Sequence, residues 1–197
     1  MIETGLFFGS FNPVHIGHMA IANYIAEYSS LKEIWFVVSP HNPLKAKESL
    51  LKDRDRLYMT ELAIAEDSRF RVSDVEFTLP QPSYTVDTLA WLAEKYPARS
   101  FTLIMGEDNL TTLHKWKNVE VLVKQCPIIV YPRLYPGSRS NKRLQEVLSM
   151  ASVKEIDAPV MDISGTFIRS AIKEGKDVSW FVPAPTWRYI REMHFYE

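Results

Sequence analysis

Residues 9 to 18 of this 197-residue chain read Gly9-Ser10-Phe11-Asn12-Pro13-Val14-His15-Ile16-Gly17-His18, directly after the apolar run Leu6-Phe7-Phe8. A strand, a turn of small residues, a pair of histidines and then a helix make a plan for holding a polyphosphate. Gly9 lets backbone approach a ligand closely, Pro13 stiffens the turn, and amides exposed where a helix begins attract anions. His15 and His18 stand three apart, so both can point toward the same side of the helix entry, where an imidazole N–H can donate to a phosphoryl oxygen. Histidines that merely fill a turn are the bland alternative. A pair flanking a glycine right after the first strand favours phosphate chemistry.

Late in the chain stands a second such segment, Ile163-Ser164-Gly165-Thr166-Phe167-Ile168-Arg169-Ser170-Ala171-Ile172-Lys173. Ser164 has the side chain of an N-cap, and Phe167, Ile168, Ala171 and Ile172 form an apolar stripe at helical spacing. Thr166, Arg169 and Lys173 fall on the opposite face, near a positive helix start that again suits an anion. A capped helix with a solvated basic face would read the same way, so this segment alone leaves both readings open.

Between these segments strand and helix signals alternate, and no internal repeat interrupts them. Residues 16 to 28 carry Ile21, Ile25 and Tyr28 on one helical face, and Ile34-Trp35-Phe36-Val37-Val38 is an apolar run expected of a strand covered on both sides. Ser39 to Lys52 reads as a loop. Asp53 to Glu66 reads as a helix with Tyr58, Leu62 and Ala65 inward. Short strand-like pieces at Phe70-Arg71-Val72 and Val75-Glu76-Phe77 lead through Pro80-Gln81-Pro82 to a helix with Val86, Leu89, Ala90 and Ala93 inward. Phe101 to Met105 and Ile128 to Tyr131 supply two more strands. Pro132 to Asn141 reads as a mobile loop, and helices near 165–175 and 183–194 follow. Strands separated by helices imply an α/β fold: a mainly parallel sheet with right-handed crossovers, whose ligands bind at the carboxyl ends of the strands. His18 and Arg169 are then expected to meet in one cleft.

Composition agrees with a compact enzyme: 46% hydrophobic and 24% charged residues are ordinary values, and a formal net charge of −1 gives no basis for a broad nucleic-acid-binding surface. No apolar stretch is long enough to span a bilayer, and no basic segment with an apolar core opens the chain, so a cytoplasmic location without membrane attachment is expected. Cys126 stands alone, which fits a reducing compartment, and its apolar surroundings point to packing rather than to a nucleophile. The sequence does not fix the oligomeric state; a homo-oligomer is compatible with it.

Together the two terminal segments resemble the nucleotidyltransferase superfamily, whose signatures are a His-or-Thr-x-Gly-His block after strand one and a late Ile-Ser-x-Thr-x-Ile-Arg block. His15-Ile16-Gly17-His18 also spells a class I aminoacyl-tRNA synthetase signature, but 197 residues leave no room for an anticodon-reading domain and the Lys-Met-Ser-Lys-Ser loop is missing. Ser83-Tyr84-Thr85-Val86-Asp87-Thr88-Leu89 matches the Ser-Tyr-Thr-x-Asp-Thr block of nicotinate-nucleotide adenylyltransferases. Gly106-Glu107-Asp108, with Trp116 downstream, matches their Gly-x-Asp and tryptophan. The resemblance spans nearly the full chain and implies one Rossmann-like domain over 1–197, with helices on both faces of the sheet and a small C-terminal helical part from about 164.

What the resemblance implies for chemistry is adenylyl transfer from ATP to nicotinate mononucleotide, giving nicotinate adenine dinucleotide and pyrophosphate, with Mg²⁺ arriving on ATP and no dedicated protein metal site. It puts His18, His15 and Arg169 in catalysis. It puts ATP along Gly9, Ser10, Phe11, His15, His18, Gly106, Asp108, Ile163, Ser164, Thr166 and Arg169. The second substrate falls to Lys45, Tyr84, Thr85, Trp116 and Arg133. The lysines flanking Trp116 argue against deep burial, leaving its face for a planar ring. After strand two the family commonly has Pro-Pro-His-Lys where this chain has His41-Asn42-Pro43-Leu44-Lys45, and Arg133 follows its strand at an unusual spacing. Nicotinamide mononucleotide and phosphopantetheine are the alternative acceptors. A nucleotide-sensing module without turnover is the non-enzymatic alternative.

Overall fold

The computed structural model describes residues 1–40 and 50–197; Lys45 lies outside the described residues. Among those described, six strands form one sheet: β1 (Ile2–Gly9), β2 (Glu33–Val38), β3 (Phe70–Ser73), β4 (Arg99–Gly106), β5 (Ile128–Tyr131) and β6 (Val153–Glu155). The order is β3-β2-β1-β4-β5-β6, and every neighbouring pair is parallel. This is the Rossmann-like α/β architecture expected from the sequence. The chain steps outward from β1 to β3, then returns to lay β4 against the other side of β1. At that reversal the connections leave in opposite directions and a crevice opens beyond Gly9 and Gly106.

Both faces of the sheet are dry, and the side chains divide between them with period two. Phe7, Ile34, Phe36, Val38 and Ile104 join one core, whereas Leu6, Trp35, Val37, Leu103 and Met105 join the other. The first core is covered by α1 (Ile16–Tyr28), α2 (Asp53–Ile64) and two helices from the end of the chain. The second is covered by α3 (Val75–Thr78), α4 (Thr85–Lys95), α5 (Glu107–Leu110), α6 (Val119–Gln125) and α7 (Lys142–Leu148). The late pair, α8 (Gly165–Lys173) and α9 (Ala184–Glu192), packs Ile168, Ala171, Ile172 and Ile190 beside α1 and α2. No helix among the described residues is long and apolar enough to cross a membrane.

Several helical faces differ from the apolar reading, and polar burial explains most of them. In α2 the buried residues are Arg56, Met59, Thr60 and Ile64, so Tyr58 and Ala65 face outward. Arg56 finds enough acceptors to be fully buried and rotates the helix accordingly. In α4 Thr88 and Leu92 are inward while Ala90 and Ala93 are exposed. The Val75-Glu76-Phe77 piece is the short helix α3 rather than a strand: Glu76 is 3% exposed, and its carboxylate accepts a hydrogen bond of 2.9 Å from Thr88 Oγ1. Tyr28 lies outside the core, stacked on Tyr24 at 4.3 Å, and Phe167 is half exposed against the edge of Phe181. Strand β6 and helix α7 had no clear sequence pattern. The loop 132–141 has no regular structure, but Arg139 within it pairs with both Glu107 and Glu155 and fastens it to the sheet. Cys126 is buried, and burial pushes its thiol up to about 12, as packing rather than nucleophilic use requires.

Candidate active site

A cleft of about 890 Å³ opens over the carboxyl ends of β1 and β4. Its walls include Gly9, Ser10, Phe11, His15, His18, Tyr84, Thr85, Gly106, Asp108, Trp116, Arg133, Ile163, Ser164, Thr166 and Arg169. Every described residue expected at the site from sequence therefore faces one space. The two terminal segments touch there directly: Arg169 Nη1 donates to the carbonyl of Asn12 at 2.8 Å and Nη2 to Thr166 Oγ1 at 3.3 Å. Gly165 is needed for that approach, because a Cβ at this position would come within 2.9 Å of the Asn12 carbonyl oxygen.

Apart from the single-turn α5, three helices, α1, α4 and α8, begin at this cleft. His15 stands at the N-cap of α1 and Ser164 at that of α8, where its hydroxyl accepts from the amide of Phe167 at 3.2 Å. Neither α1 nor α8 has an acidic residue in its first turn, so their positive ends and orphan amides remain available to an external anion. Tyr84 caps α4 with backbone only, and the one carboxylate in that first turn, Asp87, is paired with Lys117 at 2.9 Å. The same lysine sits 4.5 Å over the Tyr84 ring. Tyr84, Thr85, Trp116 and Lys117 thus give the cleft an aromatic, cationic group besides the histidines and Arg169.

The two imidazoles stack at 3.7 Å with planes 27° apart. His18 Nδ1 accepts the His15 amide proton at 3.2 Å, which leaves the neutral ring's proton on Nε2. Phe11 and Phe7 meet the His18 ring edge-on at 5.0 and 5.9 Å. Phe11, expected among the ATP contacts, has a ring only 1% exposed, so its side chain is a wall behind His18. The backbone of Phe11 lies in the left-handed region (φ 41°), which turns the chain sharply after β1. Asp108 stands 3.4 Å from Arg133 Nε, and both are part-exposed.

His15 is 5% exposed, and its Nδ1 has no hydrogen-bond partner among the described residues. Burial, and then the charge of Arg133, hold its pKa down to about 4. The ring is therefore neutral at pH 7. Between about 6.5, where the unfolded chain takes up this proton, and about 4, the unfolded state binds more protons than the folded one. Stability is fully present above that window and is lost as pH falls through it, by up to about 3 kcal/mol. Urea titrations near pH 7.5 and pH 4.5 are expected to show a larger acid loss for the native chain than for His15→Gln; equal losses would refute the assignment.

Sequence reasoning missed Arg56. Its side chain is fully buried, and it donates to the carbonyls of Ser10, Ser39 (2.9 Å), Leu51 (3.1 Å) and Pro40 (3.3 Å) and to Asp53 Oδ1 (2.6 Å). It binds the phosphate-type turn to the end of β2. Nothing in the run Asp53-Arg54-Asp55-Arg56 marks it out, since such a run normally signals a solvated face. Glu76 was also missed; it backs the Tyr84 group through Thr88.

Comparison with known proteins agrees with this geometry. A family model described as Cytidylyltransferase-like matches residues 6–171. A protein of Flavobacterium johnsoniae named "Probable nicotinate-nucleotide adenylyltransferase" is 50% identical over 196 residues, covering 100% of both chains. One of the same name from Bacteroides thetaiotaomicron is 50% identical over 192 residues, covering 97% of this chain and 92% of that one. In fold, the chain is similar to a Plasmodium falciparum nicotinic acid mononucleotide adenylyltransferase with a TM-score of 0.80 at 20% identity, covering 100% of this chain and 98% of the other. Full-length identity at this level, on a chain whose two signature segments close over one cleft, shows that it belongs to the nicotinate-nucleotide adenylyltransferase family of cytidylyltransferase-like enzymes.

Proposed function

We propose that the cleft joins the adenylyl group of ATP to nicotinate mononucleotide, giving nicotinate adenine dinucleotide and pyrophosphate, a step of NAD biosynthesis. The observation that carries this reading is the contact between the two terminal segments, with three helix N-termini aimed into the same space. The names of the relatives support it, as do Plasmodium falciparum structures described as complexed with NaAD and with APC.

A phosphate monoester has a second pKa of about 6, so the attacking oxygen of the mononucleotide is already anionic at neutral pH. No general base is required. The oxygen attacks the α-phosphorus of ATP, and the bond to pyrophosphate breaks as the new one forms. What remains for the protein is alignment and stabilisation of charge on the transferring group. His18 Nε2–H and the Gly9-Ser10 amides serve the α-phosphate. His15, neutral and with an unsatisfied buried nitrogen, donates to the triphosphate alongside Arg169 and the first amides of α8. Asp108 and Gly106 lie toward the ribose. Trp116 stacks on the pyridine ring, and the opening amides of α4 at Thr85 and Val86 receive the nicotinate carboxylate. Arg133 and Lys45 are assigned to phosphate.

Among the described residues no group of three or more His, Cys, Asp or Glu side chains stands together to hold a metal. We assign Mg²⁺ to the nucleotide, as MgATP, whose phosphate charge it would offset when bound. We place the enzyme in the cytoplasm, where its lone thiol stays reduced.

Pyrophosphate release with MgATP and each of three acceptors tests the proposal. Turnover is expected with nicotinate mononucleotide, with at least tenfold lower kcat/KM for nicotinamide mononucleotide and none for phosphopantetheine. Preference for either alternative acceptor would reassign the substrate. ATP binding without release under any condition would favour a nucleotide sensor.

A further inference from the structure

Tyr196 reaches the wall of the cleft from behind, at Asn12. After α9 the backbone turns through two left-handed residues, His194 (φ 53°) and Tyr196 (φ 70°), and the Tyr196 ring packs back against the first core. Its hydroxyl donates to Asn12 Oδ1 at 2.8 Å. The same oxygen accepts the Leu51 amide at 3.3 Å. On its other side Asn12 offers its carbonyl to Arg169 Nη1 at 2.8 Å, and the start of α8 packs against it at Gly165. Asn12 is 4% exposed, so these contacts are made away from bulk water and their geometry is not averaged by solvent. Burial raises the phenol's pKa above its ordinary value, which keeps the hydroxyl a donor throughout the physiological range.

A flexible arginine head gains most when its fork is held before the ligand arrives, since ordering it during the reaction costs free energy. Here the acceptor that holds the fork is a backbone carbonyl in a turn. Carbonyl and side chain belong to the same turn residue, so a contact that holds the Asn12 side chain also restrains the backbone whose carbonyl receives Arg169. From this chain of contacts we infer that Tyr196 is a positioning residue for adenylyl transfer: through Asn12 it sets the Arg169 guanidinium against the ATP phosphates, which makes the C-terminal tail part of the catalytic apparatus. This rests on the assignment of Arg169 to ATP.

Tyr196→Phe removes only the hydroxyl and keeps the ring. The expected result is a kcat about fivefold lower, the size of one net hydrogen bond, with KM for nicotinate mononucleotide unchanged and thermal unfolding within a degree or two of the native chain. The same substitution placed in an Arg169→Ala background is expected to have no further effect on kcat, because the group it positions is gone. A native kcat in Tyr196→Phe overturns the inference. So does an equal fold-loss in both backgrounds, or a loss that follows a large drop in Tm, since each makes the tail a structural brace. Failure of the native enzyme to turn over nicotinate mononucleotide would instead remove the functional reading itself, and the native control separates the two cases.

Discussion

Replacement of His18 by alanine is expected to lower kcat for pyrophosphate release by about 10²- to 10³-fold, with KM for either substrate changed far less. The size follows from how completely the ring is prepared before substrate arrives. Its Nδ1 is occupied by the His15 amide at 3.2 Å, which fixes the tautomer with Nε2 as donor. One face is held by His15 at 3.7 Å and the edges by Phe11 and Phe7. A donor in this state stabilises developing charge without reorganising, which is where preorganised hydrogen bonds contribute most. His18→Asn, which keeps an N–H donor on a shorter arm, should recover part of the loss. Steady-state kinetics with varied ATP settles the matter: a kcat within twofold of native would remove His18 from the reaction.

The largest expected loss of stability comes from a residue that touches no substrate. Arg56→Met should lower unfolding free energy by about 3–5 kcal/mol and Tm by on the order of 10 °C, because a fully buried guanidinium is lost and four part-buried carbonyls lose their donor. The acceptors it would strand belong to Ser10, Ser39, Pro40 and Leu51, which lie in segments separate in sequence. Methionine keeps most of the aliphatic stem, so the loss measures the buried guanidinium, its hydrogen bonds together with the space it fills. Activity should fall as well, since the Gly9-Ser10 amides assigned to the α-phosphate are set by the turn that Arg56 holds. Thermal and urea unfolding of the folded variant check the first part. An unchanged Tm would mean that water or backbone replaces all these bonds.

The site and the fold were legible to different degrees. The two terminal segments carry residue types and spacings that few other chemistries need, and from them the cleft and most of its walls follow. The strands were readable because a parallel sheet buried on both faces requires continuous apolar runs, and β1, β2, β4 and β5 have them. Strand β6, Val153–Glu155, is short, part-exposed and at the sheet edge, so it carries no such run. The helical faces of α2 and α4 were misread for one reason: Arg56, Thr60 and Thr88 are buried with partners, and a pattern of apolar residues counts them as solvent-facing.

Taken alone, then, the order of residues determined the α/β class, the strand-to-helix entry with its exposed amides, and the presence of imidazole and guanidinium groups at the two signature segments, because each depends on neighbours within a turn or two of chain. Tertiary structure alone decided which distant atoms complete those groups: Asn12 under Arg169, Tyr196 on Asn12, Arg56 across the carbonyls of the turn. Such contacts form between segments separated by 46 to 184 residues. Hydrogen bonds of that kind leave no periodic trace in sequence, since a polar residue that finds a buried partner looks the same, letter by letter, as one that faces water.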